Sequence, residues 1–200
     1  MSGNAGASKL DYSSWDREFK FRRIIAEAKG FGLRITEVNQ KRKPWGGYVK
    51  FHPNDLDDFR KAYWRTALSF HWQHVLRKLW RAAEEEQQRG LPLDAKLLLL
   101  EPGERFSLQS HQRREELWRV IDGPVVVVLG ESEEDLHDIE LRPGEVIRIP
   151  QGRLHRAAAP PSSWGVIAEF WYHGDPQRPS NEKDVIRYED DYDRTLTRRR

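Results

Sequence analysis

The sequence predicts a mainly β protein, a small β-barrel or jelly roll with an N-terminal helix and an inserted helical segment. Two observations support this fold class. Beyond Asp94, short apolar runs are separated by Gly, Pro or charged turns, which is typical of the strands of a small barrel. Before Asp94, two stretches instead repeat their apolar residues at helical spacing.

We divide the chain of 200 residues into four parts. Residues 1–14 are small and polar and predict a disordered tail. Residues 15–93 predict the N-terminal helix, two early strands and the inserted helical segment. Residues 94–175 predict the barrel core, and residues 176–200 a polar C-terminal tail that packs on the barrel.

The first helix is expected from Trp15 to Lys29, because its apolar residues share one helical face and Gly30 is a plausible stop. Short strands are expected at 33–38 and 48–51. Asn54 then follows a proline and predicts the cap of a second helical pattern. That pattern continues to Ala83, as one long or two shorter helices.

The inserted helical segment carries a stripe of three tryptophans, Trp64, Trp72 and Trp80. A stripe of that size needs a partner surface, because large exposed apolar patches mark interaction sites. We therefore expect the segment either to pack across the barrel or to form a homodimer contact.

After Asp94 the sequence predicts eight strands, at 96–101, 106–111, 116–121, 125–129, 138–141, 146–149, 155–158 and 165–172.

The last of these strands contains the carboxyl group of greatest interest. Ile167, Glu169 and Trp171 alternate with Ala168 and Phe170, so they share one face. If that face lines the barrel, burial raises the pKa of Glu169 towards the range useful to a general base. The alternative is an outward-facing Glu169 or one paired with an arginine.

Composition excludes several function classes. The chain has 34 Lys and Arg against 32 Asp and Glu, a net charge of +2, which argues against a general binder of nucleic acid or anionic membrane. It has no cysteine, so thiol catalysis and thiolate metal sites are excluded. Since no signal peptide pattern or apolar run of ~20 residues occurs, we expect a cytoplasmic protein.

Four residues predict a metal site. Gln109 and His111 are two positions apart and point to the same face of an extended strand, and Glu116 can return from the next strand. His155 follows a turn at Pro150-Gln-Gly152. One amide, two imidazoles and one carboxylate suit a single divalent ion such as Zn, Mn, Fe, Co or Ni.

The spacing of these residues resembles the two motifs of the cupin superfamily. The runs from Gly103 to Gly123 and from Gly144 to His155 match every interval of those motifs. Gln109 stands where the family has its first His, and Ala159 where it has a terminal Asn. The resemblance implies a double-stranded β-helix, or jelly-roll barrel, with Gln109, His111, Glu116 and His155 as metal ligands.

Within that superfamily the chain resembles type II phosphomannose isomerases and small phosphoheptose isomerase-like cupins. Four segments carry the resemblance: Lys43-Pro-Trp-Gly46, Ser107 to Trp118, Val166 to Trp171, and Asp184 to Arg194. It implies a sugar-phosphate substrate, with Arg114 matching the motif arginine.

The fork of donors on Arg114 suits a phosphate; otherwise it is a solvated turn residue. His173 and Arg187 are further candidates for substrate binding. Arg187 and Arg194 can close the pocket from the tail, although ion pairs with Asp190 or Asp191 are favoured.

The sequence therefore predicts a metal-dependent aldose-ketose isomerase acting on a sugar phosphate such as mannose 6-phosphate or a heptose phosphate. Glu169 is the first candidate for the carbon base and Arg114 for the phosphate contact. Two alternatives stay open: an Fe-dependent cupin dioxygenase, and a non-catalytic sugar-binding module.

Overall fold

The computed structural model describes residues 12–41, 43–64, 94–173, 175, 177–192 and 194, together with 77, 78, 80, 81 and 85. Two α-helices and eleven β-strands have bounds within these ranges. The helices are α1 (Tyr12–Gly30) and α2 (Leu56–Tyr63). The strands are β1 (Ile35–Asn39), β2 (Gly46–Phe51), β3 (Ala95–Leu100), β4 (Leu108–Ser110), β5 (Arg114–Asp122), β6 (Val125–Gly130), β7 (His137–Leu141), β8 (Val146–Ile149), β9 (Leu154–Ala158), β10 (Gly165–His173) and β11 (Ile186–Glu189).

The strands form two antiparallel sheets. The six-stranded sheet has the order β1-β2-β3-β10-β5-β8, and the five-stranded sheet has the order β11-β4-β9-β6-β7. From β3 onwards, successive strands alternate between the sheets except for the hairpin β6-β7, as in a jelly roll. The mainly β fold class predicted from the sequence is confirmed.

Strand β10 shows how the sequence builds two cores. Val166, Ala168 and Phe170 face a cluster that includes the helices, whereas Ile167 belongs to the cluster between the sheets. Both sets are buried, because β10 lies at the centre of the six-stranded sheet with β3 and β5 as neighbours. The alternation directs Glu169 into the barrel interior.

Helical residues cover the outer face of this sheet. Phe21 of α1 and Phe59 of α2 are fully buried in the outer cluster. Trp80 stacks on Phe170 at 4.6 Å between ring centroids and meets Trp64 edge-on at 6.1 Å. Two of the three predicted tryptophans therefore pack across the barrel, and Trp72 lies outside the described residues.

The predicted helix cap at Asn54 is wrong. Asn54 lies inside a 3-10 turn, Pro53–Asp55, and His52 Nδ1 accepts a hydrogen bond from the Asn54 backbone N at 3.1 Å. Helix α2 begins only at Leu56, and its N-cap Asp55 makes no capping hydrogen bond with its side chain. The Asp55 carboxylate instead accepts from Arg34, because a tertiary partner with two donors outcompetes the local cap.

The predicted C-terminal tail contains a strand that the sequence did not reveal. β11 pairs with β4 at the edge of the five-stranded sheet, with Arg187 opposite Gln109. None of its four residues is fully buried, so backbone pairing rather than a buried apolar face holds it in place. Helix α1 also begins earlier than predicted, at Tyr12.

Within the described residues, no helix has the length and the apolar character that crossing a membrane requires.

Candidate metal centre

The two sequence motifs meet because their strands are neighbours. Gln109 on β4 lies in register with His155 on β9. The turn before β9 also contacts the first motif, since Gly152 N donates to the carbonyl of His111 at 2.7 Å. Gly152 has φ +83°, a conformation that favours glycine, so the turn residue itself allows this close link.

Three of the four predicted ligands converge on one point. His111 Nε2 lies 3.2 Å from Glu116 Oε1, and His155 Nε2 lies 3.3 Å from Glu116 Oε2. One ligand atom from each residue lies within 4.8 Å of the others, and all three side chains are buried. This arrangement provides two nitrogens and a carboxylate for one small cation.

Backbone carbonyls determine the tautomer of both histidines. A carbonyl only accepts, so His111 Nδ1 donates to Asp184 O at 2.5 Å and His155 Nδ1 donates to Arg153 O at 3.0 Å. Burial lowers the pKa of His111 to about 3, which keeps its ring neutral. Both Nε2 lone pairs therefore face the Glu116 carboxylate.

This cluster has more acceptors than donors. Glu116 Oε2 and His155 Nε2 are buried and have no hydrogen-bond partner among the described residues. Buried acceptors without a donor are costly, and a bound cation removes that cost. The donor set fits a borderline divalent ion, as the sequence predicted from the same residues.

Gln109 lies beside the cluster in a different orientation. Its Nε2 is 3.4 Å from His111 Nε2, and its Oε1 accepts from Ser107 Oγ at 3.2 Å. In the metal-free protein the amide therefore offers a donor to the histidine ring. The structure thus places Gln109 next to the three converging residues without its oxygen facing them.

Arg114 is buried inside the site. Its guanidinium donates to Glu116 Oε1 at 2.8 Å and to His111 Nε2 at 3.0 Å, and it stacks on Trp171 at 3.6 Å from the ring centroid. Burial alone would raise the pKa of Glu116, but nearby positive charges, including that of Arg114, lower it well below its ordinary value. Arg114 thus acts as the partner of the ligand set rather than as a solvated turn residue.

The tail positions this arginine and His111. Asp184 accepts hydrogen bonds from the backbone N of Gln112 and of Arg113, at 3.1 and 3.0 Å. Its carbonyl accepts from His111 and from Arg114 Nη1. Sequence reasoning assigned Asp184 no role, since only the fold shows that it reaches the turn after His111.

Glu169 is buried in the barrel interior beside the ligand set. Trp118 Nε1 donates to Glu169 Oε1 at 3.2 Å, and Lys96 Nζ lies 3.9 Å from Glu169 Oε2. Burial and the charge of Glu116 raise the pKa of Glu169 to about 8. Of the two orientations left open by the sequence, the inward one is observed.

His173 has a different place from the one predicted. It is buried at the end of β10, where its Nδ1 accepts from Ser180 N at 3.1 Å. Like His155, it is absent from the residues that line the cavity. The ring orders the loop that leads into the tail.

The cavity above the ligand set encloses about 100 Å³ and has a cationic side. Lys43, Arg187 and Arg194 line it, and Arg187 Nε is buried with no hydrogen-bond partner among the described residues. Arg194 pairs with Asp190, as predicted. Burial and the charge of Arg194 lower the pKa of Lys43 and of Arg187, so these cations repel one another.

Fold and site together define a small antiparallel barrel that encloses a buried His-Glu-His cluster. Residues 96–163 match the family model described as Cupin domain. These residues, which make up most of the barrel, form a cupin domain, and the chain has a mainly β fold of two antiparallel sheets consistent with a jelly-roll cupin.

Among curated proteins, the chain is similar to the xanthan biosynthesis protein XanB of Xanthomonas campestris pv. campestris, with 29% identity over 127 residues. The match covers 62% of this chain and 24% of that protein, so it spans about a quarter of the relative.

Solved structures resemble the chain in part. The capsular polysaccharide assembling protein CapF from Staphylococcus aureus has 14% identity and a TM-score of 0.47, over 76% of this chain and 34% of that chain. BH2720 from Bacillus halodurans has 23% identity and a TM-score of 0.39, over 42% of this chain and 64% of that chain.

Proposed function

We propose that the protein is a metal-dependent aldose-ketose isomerase acting on a sugar phosphate. One observation carries the proposal: His111 and Glu116 of the ligand set, a buried carboxyl group of raised pKa and a cluster of mutually repelling cations all line one cavity. These are the three elements that the reaction needs, namely a Lewis acid, a base for carbon and an anion site.

His111, Glu116 and His155 would hold the divalent ion, and Gln109 would add its amide oxygen after a rotation of the amide. When bound, the ion polarises the carbonyl and hydroxyl oxygens of the sugar and stabilises negative charge on them. The Asp184 and Arg153 carbonyls orient the two imidazoles for this task, since each accepts from an Nδ1.

Glu169 serves as the base that moves the proton between adjacent carbons. Its pKa of about 8 makes its conjugate base strong enough to accept a proton from carbon while a usable fraction is ionised near neutral pH. Trp118 fixes one carboxyl oxygen through its hydrogen bond, which leaves the other oxygen towards Lys96 and the cavity.

Arg187 and Lys43 bind the phosphate group, next to Arg194, whose guanidinium already pairs with Asp190. A phosphate dianion would relieve their mutual repulsion and satisfy the buried Arg187 Nε. We assign the phosphate contact to these residues instead of Arg114, because the Arg114 guanidinium already bonds Glu116, His111 and Ser180. The similarity to a protein named for the biosynthesis of xanthan, a polysaccharide, supports a sugar substrate.

Proton NMR in D₂O tests the proposal with a panel of hexose and heptose phosphates, the matching unphosphorylated sugars, and Mn, Zn, Co, Ni or Fe(II) in turn. We expect deuterium at the carbon next to the carbonyl for a phosphorylated sugar and one or more metals. Glu169→Gln should abolish the exchange while metal stays bound.

Silence with every sugar while metal is bound would reject the isomerase in favour of a sugar-binding module. Equal exchange with unphosphorylated sugars would reject the phosphate site and leave the isomerase chemistry in place.

A further inference from the structure

Lys96 is a buried charge that the proposed mechanism has not used. We propose that Lys96 is a second catalytic residue, which moves the hydroxyl proton between the two sugar oxygens while Glu169 moves the carbon proton. This inference rests on the proposed isomerase function and names the group that completes its proton transfers.

The register of the six-stranded sheet places Lys96 beside Glu169. Lys96 on β3 lies directly opposite Glu169 on β10, and Glu169 lies opposite Trp118 on β5. Residues opposite one another in an antiparallel pair project from the same face. Lys96 is 3% exposed, lines the cavity with Glu169, and brings its Nζ to 3.9 Å from Glu169 Oε2.

A carboxylate and two aromatic rings surround the Lys96 Nζ. Its Nζ donates to Glu182 Oε1 at 2.6 Å and lies 3.8 Å from the centroid of Trp171. The ring of Tyr48 lies on a second side, at 5.4 Å. A ring face attracts a cation but accepts no proton. Among the described residues Glu182 is the acceptor in hydrogen-bond contact with Nζ, while Asp94 and Glu169 lie at 4.0 and 3.9 Å, so further N–H groups remain for a ligand.

Isomerisation requires two proton movements. Glu169 takes the proton from the carbon that bears the hydroxyl, the C–H electrons form a carbon-carbon double bond, and the carbonyl electrons move onto its oxygen. The Lys96 ammonium gives a proton to that oxygen, and the resulting amine takes the proton of the neighbouring hydroxyl. The new carbonyl then forms, and Glu169 returns its proton to the other carbon, so both residues end as they began.

This assignment explains why a lysine occupies an inward position in the apolar strand Lys96-Leu-Leu-Leu-Leu100. A buried cation costs desolvation energy that a leucine at that position avoids. Tyr48 and Trp171, the aromatic rings on either side of it, lie on the cavity wall and direct the ammonium towards the same space as Glu169.

The test compares Lys96→Arg and Lys96→Met with Lys50→Met in metal-loaded protein. Lys50 is a matched control, because it lies opposite Lys96 on β2 and pairs with Asp94, yet is not among the cavity-lining residues. We expect Lys96→Arg and Lys96→Met to lower kcat about 100-fold or more with KM within about threefold, since general acid-base groups contribute effects of that size. Lys50→Met should keep the wild-type kcat.

Lys96→Arg separates proton transfer from folding. It keeps the positive charge and the pair with Glu182, but a guanidinium does not release its proton. Circular dichroism and metal content equal to those of the wild type, together with a low kcat, support the relay. Recovery of turnover in Lys96→Ala on addition of ethylamine would support it further.

Two results overturn the inference in distinguishable ways. If the wild-type protein turns over a sugar phosphate and the kcat of Lys96→Arg lies within threefold of it, Lys96 is rejected as a relay. The isomerase proposal then still stands. A wild-type protein that binds metal but turns over no sugar phosphate rejects the isomerase, and the role of Lys96 falls with it.

Discussion

The two ends of the cavity lack opposite partners: one end has too few hydrogen-bond donors, and the other has cations that repel one another. At the inner end, His111, Glu116 and His155 present more acceptor atoms than the protein supplies donors. At the outer end, Lys43 and Arg187 present donors that repel one another, and Arg187 Nε has no partner among the described residues. The inner end favours a cation and the outer end an anion.

The difference indicates how selectivity would arise. A metal ion completes the inner end, and a substrate with an anionic group at one extremity and oxygen atoms at the other completes the rest. Arg114 partly neutralises the inner end, whereas Arg187 Nε has no hydrogen-bond partner among the described residues. We therefore expect changes at the two ends to act on different ligands.

The largest effect is expected from Arg114→Met. Removing the guanidinium leaves the buried Glu116 carboxylate without its cation, which should lower the free energy of unfolding of metal-free protein by about 3–5 kcal/mol. Added divalent metal should stabilise this variant more than the wild type, because the ion then supplies the missing charge. Urea denaturation with chelator and with metal measures both effects.

The control for Arg114→Met is Arg148→Met. Arg148 pairs with Glu115 on the opposite face of the same strand, where the pair is more exposed and should contribute less than about 1 kcal/mol. Equal losses in the two variants would show that Arg114 is an ordinary surface-like partner and would break the contrast between the two ends.

His111→Ala tests the inner end directly. The change removes one of the three converging ligand atoms, and we expect the affinity for Zn or Mn to fall at least ~100-fold, beyond the effect of losing an outer-sphere partner. Isothermal titration of chelator-treated protein measures it, with the exposed His137→Ala on β7 as the control. A loss smaller than tenfold would exclude His111 as a ligand.

Glu169→Gln tests the middle of the cavity through the pH dependence of the free energy of unfolding. In metal-free protein the folded chain keeps Glu169 protonated up to about pH 8, whereas the unfolded chain ionises it near its ordinary pKa of 4.5. The unfolded state therefore binds fewer protons between these values, and stability falls as pH rises. The variant lacks this loss, so at pH 8 it should be more stable than the wild type, on the order of 2 kcal/mol.

Denaturation at pH 5 and at pH 8 in chelator measures this difference. The exposed Glu140→Gln should follow the wild type at both pH values. A Glu169→Gln variant that gains nothing at pH 8 would mean that Lys96 and Arg114 offset the charge of Glu116 and that Glu169 is ionised throughout.

Arg187→Gln should have the smallest effect, and that effect should be limited to the binding of phosphate. We expect the affinity for inorganic phosphate or a sugar phosphate to fall about tenfold, the size of one charge-assisted hydrogen bond, while metal affinity stays unchanged. Arg105→Gln, which removes a surface pair with Asp191, is the control. A parallel loss of metal affinity in Arg187→Gln would show that the two ends are coupled.

Much of the fold follows from local patterns. Alternation along β10 was enough to predict that Ile167 and Glu169 face one way, and the Pro-x-Gly turn before His155 has the geometry expected of it. The period of the apolar residues was enough to predict a jelly roll, because a strand with one buried face carries apolar residues at every second position. The cupin resemblance was recognised from the spacing between the motif residues.

Other features depend on partners that are distant along the chain. In the sequence Lys96 is one charged residue beside an apolar run. The alternation of side chains along β3 shows that Lys96 points into the barrel only once the structure shows which face of β3 lines the interior. Asp184 and β11 reach His111 and Gln109 across more than 70 residues, at a sheet edge that the tail alone does not identify.

By itself the sequence determined most of the strand order along the chain, three candidate ligands that converge and the face that Glu169 shares with Ile167, because each depends on spacing between near neighbours. The tertiary structure alone decided that Arg114 is buried against Glu116, that His173 supports a loop, and that Lys96 lies opposite Glu169. These outcomes depend on pairing and desolvation between separate strands, which local spacing does not encode.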